Sequence, residues 1–146
     1  MFYNFFKTLK TMAIHDTTHQ TKEINKLIND EMGKPYSFIE RIKMRGTGSS
    51  RMIVECFSND LDYLNNKLSD TQYANIELRP RGIIVRINKS HNTFAWTIPF
   101  YYLSIFNDSF FTIHSQGSFV KFKKVSWKHN KKFIQKIIQL KGEFSA

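Results

Sequence analysis

The chain has 146 residues, one cysteine, and 22 lysines and arginines against 12 acids, for a formal charge of +10. That length fits one domain with a core large enough to need no disulfide staples, and the lone Cys56 excludes an internal disulfide and points to a reducing, cytoplasmic compartment. The longest apolar-looking stretch, Phe94 to Phe106, is 13 residues long and broken by Thr97, Pro99 and Ser104, well short of the about 20 a membrane-spanning helix needs.

Residues 1–17 are aromatic and basic but lack a continuous apolar run and a small-residue cleavage site, which argues against a signal peptide. They are expected to be a flexible extension ahead of a single domain over 18–146. Two other readings stay open: a true start at Met12, or a membrane-surface segment with Phe2, Phe5, Phe6 and Leu9 on one side. From Thr18 to Met32, Ile24, Leu27 and Ile28 follow a helical spacing, and Gly33 with Pro35 supplies the stop. Phe38-Ile39 and Ile42 predict a second, short helix, and Gly46 to Ser50 a loop.

Residues 51–68 fit two patterns. Ile53, Phe57, Leu61, Leu64 and Leu68 are spaced as on one long helix, whereas Met52 to Phe57 also reads as a strand, with Ser58-Asn59-Asp60 capping a helix from Leu61. The second pattern is slightly the better, and it makes Cys56 a small buried hydrophobe.

After Asp70 the period changes to two, with Ala74, Ile76 and Leu78 alternating with Asn75, Glu77 and Arg79. Further strands are expected at Ile83–Ile87, Thr93–Ile98, Tyr102–Phe106, Phe110–His114 and Ser118–Lys124, joined by short polar turns. Residues 73–124 therefore predict an antiparallel meander or partial barrel. A final helix over 128–140 carries an apolar stripe of Phe133, Ile134, Ile137, Ile138 and Leu140, expected to pack on the sheet, with Lys128, Lys132 and Lys136 on its other side. The fold class is α+β.

No motif carries catalysis or a cofactor. Arg45-Gly46-Thr47-Gly48-Ser49-Ser50-Arg51 has glycines one residue apart and no following lysine, so it is a turn and not a phosphate loop. His15 and His19 are four apart, but the glutamate of the zinc-protease motif and a third ligand are missing. His91, His114 and His129 are scattered without a nucleophile elbow. Gly117 to Phe122 resembles the second half of the RNA-recognition-motif signature, yet Gly117 stands where an aromatic belongs, and the strands run in the wrong order. Phe122 is expected in the core beside solvent-facing lysines.

One resemblance reaches further. Gly82 to Ile87, then Thr97-Ile98-Pro99-Phe100-Tyr101-Tyr102, Ser109 to His114 and Phe119 to Phe122 resemble bacterial pleckstrin-homology-like domains over residues 73–141. The resemblance implies a bent, nearly closed barrel of about seven strands with a C-terminal helix at one end. It also implies a binding module for lipid headgroups, peptides or its own copies, with no catalytic residue. The chain departs from the family in its first 70 residues and in the basic loop for inositides, to which Arg79, Arg81, Arg86 and Lys89 come nearest.

The charge completes the expectation. Residues 81–146 hold eleven basic side chains against two acids, and from Lys121 to Lys141 there are eight lysines and no carboxylate. Lys121, Lys123, Lys124, Lys128, Lys131, Lys132 and Lys136 are thus expected to form a basic surface for an anionic partner, a lipid headgroup at a membrane surface or an acidic protein segment. The alternative is RNA or single-stranded DNA on the same patch, with stacking from Tyr101, Tyr102 or Trp127.

Overall fold

The computed structural model describes residues 13–67 and 71–145. In chain order the elements are β1 (Ile14–Asp16), α1 (Lys22–Met32), α2 (Phe38–Lys43), β2 (Met52–Phe57), a 310 turn (Asn59–Leu64) and β3 (Tyr73–Arg79). They continue with β4 (Gly82–Lys89), β5 (Asn92–Pro99), a second 310 turn (Phe100–Tyr102), β6 (Ser104–Asn107), β7 (Phe111–Ser115), β8 (Ser118–Phe122) and α3 (Lys124–Ser145). The α+β class expected from the patterning is the one observed.

All eight strands lie in one antiparallel sheet in the order β1-β5-β4-β3-β2-β8-β7-β6. The meanders β3–β4–β5 and β6–β7–β8 are joined by β2, whose first residues pair with β3 and whose later ones pair with β8. A bulge between Val54 and Cys56 makes that handover, and a bulge bends its strand and adds twist. Among the described residues no ladder joins the outer strands β1 and β6, so the sheet stays open.

β4 is apolar nearly throughout because both of its faces are covered. Ile83, Val85 and Ile87 join Trp96, Ile98, Phe111, Val120 and Phe122 in the main core, to which α3 contributes Ile134 and Ile137. Ile84 and Ala95 point the other way and form a smaller core with Ile28 and Met32 of α1. Helices therefore cover opposite faces of the sheet.

Several expected boundaries move, each for a local reason. α1 starts at Lys22, because Thr21 is the cap and its hydroxyl accepts from Ile24 N at 3.2 Å, while the Thr18 hydroxyl accepts from Thr93 N. Its end is as expected: Gly33 sits at φ 85°, a conformation that favours glycine. α2 begins with a reciprocal Ser37–Glu40 capping box. Residues 52–64 form a strand followed by a 310 turn, and Leu68 lies outside the described residues. Ile14–Asp16 pair with Trp96–Phe94 of β5, while residues 1–12, with the Phe2, Phe5, Phe6 and Leu9 reading, lie outside the description.

α3 is longer than 128–140. Its docked face continues toward the N-terminus through buried polar residues that an apolar stripe does not reveal. The Ser126 hydroxyl accepts from Ile53 N at 2.9 Å, and Asn130 Oδ1 accepts from Ser50 N at 2.9 Å. Ile138, expected on the buried stripe, is 51% exposed. No described helix is long and apolar enough to cross a membrane.

Candidate binding surface

Alternation along β8 decides where the lysines point. Val120 and Phe122 are buried under α3, so Phe119 and Lys121 project from the opposite, outer face. Lys121 and the lysines of α3 consequently stand on different sides of the sheet. Lys123 and Lys124 mark the corner where β8 becomes α3. Lys128, Lys131 and Lys132 are neighbours on the exposed side of the helix.

The seven lysines also differ in what holds them. Lys123, Lys128 and Lys132 are exposed, with no partner among the described residues. Lys124 Nζ donates to Asn107 Oδ1 and, at 2.7 Å, to Asp108 O. Lys124 and Lys131 lie 5.1 and 5.4 Å from the centre of the Trp127 ring, so the corner and the helix part of the charge pattern meet at that ring. Lys136 is half-buried and donates to the carbonyls of Met44 and Gly46, the latter at 2.8 Å, so it belongs to the fold and not to a free row. Of the other expected stacking residues, Tyr101 is exposed with its ring edge-on to Phe144 at 5.0 Å, and Tyr102 is borderline exposed.

The outer face of β6–β7–β8 holds a feature the sequence reading missed. Ser104 and Phe106 of β6, Thr112 and His114 of β7, and Phe119 and Lys121 of β8 share it by register, and all keep solvent exposure. The His114 and Phe119 rings face each other across β7–β8 at 6.5 Å and 15°. Phe106 meets His114 edge-on at 6.3 Å. Lys121 Nζ lies 5.4 Å from the Phe119 ring centre and 5.8 Å from that of Phe110. The result is a row of rings across three strands with an ammonium beside it. Its sequence signal was large rings at the solvent-facing positions of strands whose other positions already fill a core.

Cys56, expected in the core, is exposed. The β2 bulge turns it outward, opposite Lys121. His15 serves the fold: its Nε2 lies 3.3 Å from Glu31, which also accepts from the Thr97 hydroxyl at 2.8 Å. Among the described residues no three His, Cys, Asp or Glu side chains are grouped to hold a metal ion.

The cations nearest to an inositide loop each bind protein groups, although Arg79 and Arg86 each keep one Nη without a hydrogen bond among the described residues. Arg79 and Arg86 bind Glu77, Arg81 Nη1 donates to Asp30 O at 2.8 Å, and Lys89 Nζ donates to Tyr63 O. No protein-family model matches the chain, and neither a curated protein nor a solved structure is significantly similar to it.

Proposed function

We propose that the protein is a binding module, not an enzyme, and that its anionic partner is single-stranded nucleic acid held on the outer face of β6–β7–β8. The observation that carries this is the row Phe106, His114 and Phe119 with Lys121 beside it on an uncovered sheet face. Every base offers a flat π face and every nucleotide a phosphate, and stacking on a protein ring is worth about 1–3 kcal/mol per base. Lys123 and Lys124 stand at the corner, so a flexible strand passes from the sheet face to Lys128, Lys131 and Lys132. A flat bilayer meets Lys121 or the α3 lysines, but not both.

The pleckstrin-homology-like architecture belongs to the same proposal. Seven antiparallel strands, β2 to β8, one of them shared between two meanders, and a C-terminal helix over the core support it. On this reading it begins at Met52 and not at residue 73. Fold does not choose the partner, however.

Fluorescence anisotropy of a labelled oligothymidylate, run beside flotation with phosphatidylcholine vesicles containing phosphatidylserine, tests the reading. The oligonucleotide is expected to bind, and Phe106→Ala or Phe119→Ala to weaken it by about 1–3 kcal/mol each. Binding to the vesicles without binding to the oligonucleotide would sink it.

A further inference from the structure

A second polar site lies on the other face of the sheet. Asn75, Glu77 and Arg79 of β3 and Arg86 of β4 share the side that faces α1, by their registers with Ile84 and Ala95. A cleft of about 480 Å³ separates them from the Pro35-Tyr36 connection, from Arg41 on α2 and from Thr47-Gly48. That volume falls within the range of small-molecule sites, about 300–1,000 Å³.

The charges in the cleft do not cancel. Glu77 accepts from Arg79 Nε through one oxygen and from Arg86 Nε and Nη2, at 3.0 and 2.8 Å, through the other. Arg79 Nη1 donates to Asn29 Oδ1 and Gly33 O, both at 2.9 Å, and Arg41 Nε donates to Tyr36 O at 3.0 Å. Arg79 Nη2, Arg86 Nη1 and both Nη atoms of Arg41 are left without a hydrogen bond among the described residues. Arg79 as a whole is 5% exposed, yet none of its nitrogens is a fully buried atom without a partner, so Nη2 keeps solvent access at the cleft that Arg79 lines and is free to donate to what enters it. One carboxylate and one guanidinium would tie β3 to β4. Three guanidiniums around one carboxylate leave a surplus of two positive charges, the charge of a phosphate monoester dianion.

We infer that this cleft binds a small phosphate monoester, with the free guanidinium nitrogens of Arg41, Arg79 and Arg86 on its phosphate and Thr47 and Asn75 available to a polar body. Guanidinium forks match phosphate oxygens in both geometry and charge. The site is independent of the ring row.

Calorimetry with ribose 5-phosphate, ribose and inorganic phosphate tests this, with phosphatidylcholine vesicles containing phosphatidic acid as a second source of the same headgroup chemistry. Ribose 5-phosphate is expected to bind, ribose not to bind, and inorganic phosphate to bind more weakly. Arg41→Gln, at an exposed position, should lower the affinity about tenfold or more without changing the melting temperature of the unliganded protein. Arg41→Lys, which keeps the charge and loses the fork, should fall between, and Phe119→Ala should bind like the unmodified chain. Vesicle binding that ribose 5-phosphate displaces and Arg41→Gln weakens would identify the source as a lipid and keep the site. Absence of binding at millimolar concentration, equal affinity for inorganic phosphate, or undiminished binding by Arg41→Gln overturns the inference.

Discussion

Glu77 holds two guanidiniums on one carboxylate, and its environment pulls in two directions. Burial raises its pKa, whereas the hydrogen bonds and charges of Arg79 and Arg86 lower it, and the net result lies below the ordinary value of 4.5. A carboxyl with a depressed folded pKa stabilises the fold above its unfolded pKa, and that contribution is lost as pH falls through the folded value. Glu77→Gln should therefore cost about 2 kcal/mol at neutral pH, where Arg79 loses its one charged partner among the described residues, and should flatten the loss of stability on acidification below about pH 4.5. Urea midpoints measured across pH check both effects. Some slope should survive, because the Asp60 carboxyl is also lowered, by hydrogen bonds from Ser118 and Ser58. Two glycines give an opposed pair. A Cβ on Gly82 would meet Ile98 O at 2.1 Å, Met32 Cε at 2.7 Å and Pro99 Cα at 2.8 Å, while one on Gly142 meets nothing within 4 Å. Gly82→Ala should lose about 3 kcal/mol or more through overpacking against backbone, and Gly142→Ala, in the last turns of α3, should gain about 0.5 kcal/mol. Thermal melts of the two variants should move in opposite directions. In the sequence Gly82 stands just ahead of the strand expected at Ile83–Ile87, but the requirement for glycine is the close approach of β5 and α1, which no local pattern contains.

Among the elements, α3 shows most clearly what periodicity reveals and what it hides. Ile134 and Ile137 recur at helical spacing and are buried, so the docking face was legible there. Ser126 and Asn130 extend that face by accepting hydrogen bonds from Ile53 N and Ser50 N, and a polar residue in a sequence does not say that its partner lies 73 or 80 residues away. Lys136 continues the four-residue repeat of Lys128 and Lys132, yet its ammonium sits on the carbonyls of Met44, which caps the C-terminus of α2, and of Gly46 in the turn beyond it. A cation there meets the negative end of the helix. Burial, helped by the Arg45 charge, lowers the Lys136 pKa and trims the gain. Lys136→Gln is accordingly expected to cost about 1 kcal/mol, and Lys128→Gln and Lys132→Gln to stay within about 0.5 kcal/mol. Ile137→Ala, at a fully buried position, should cost about 2–5 kcal/mol. Equal urea midpoints for the three lysine variants would show that the α2 contact is idle. β3 was legible from its alternation, and β4 and β5 from apolar runs bounded by polar turns, since both of their faces are covered. β1 was not, since three residues on an open edge carry too little pattern to separate strand from extension. The ring row was hidden for a related reason: large rings on a strand resemble core residues by their size, and only the register places Phe106, His114 and Phe119 on the outer face.

Over the whole molecule, the excess positive charge of the C-terminal half is divided between two surfaces that meet at the β8–α3 corner. That division yields a prediction separating the ring row from the lysines. Binding of a single strand releases counterions, so the logarithm of affinity falls with the logarithm of salt concentration by about 0.7 for each phosphate neutralised. Stacking of bases on Phe106, His114 and Phe119 displaces water and no ions. Lys121→Gln and Lys128→Gln should therefore each flatten the salt dependence of oligothymidylate binding by about 0.7, and should act together, because one strand has to cross the corner to reach both. Phe119→Ala should lower affinity by a similar amount at every salt concentration and leave the slope alone. Anisotropy titrations over a series of salt concentrations resolve the two behaviours. A slope that responds to Lys128→Gln but not to Lys121→Gln would confine the strand to α3 and remove the sheet face from the path. A slope that responds to Phe119→Ala would mean that the ring holds Lys121 in place and does not stack on a base.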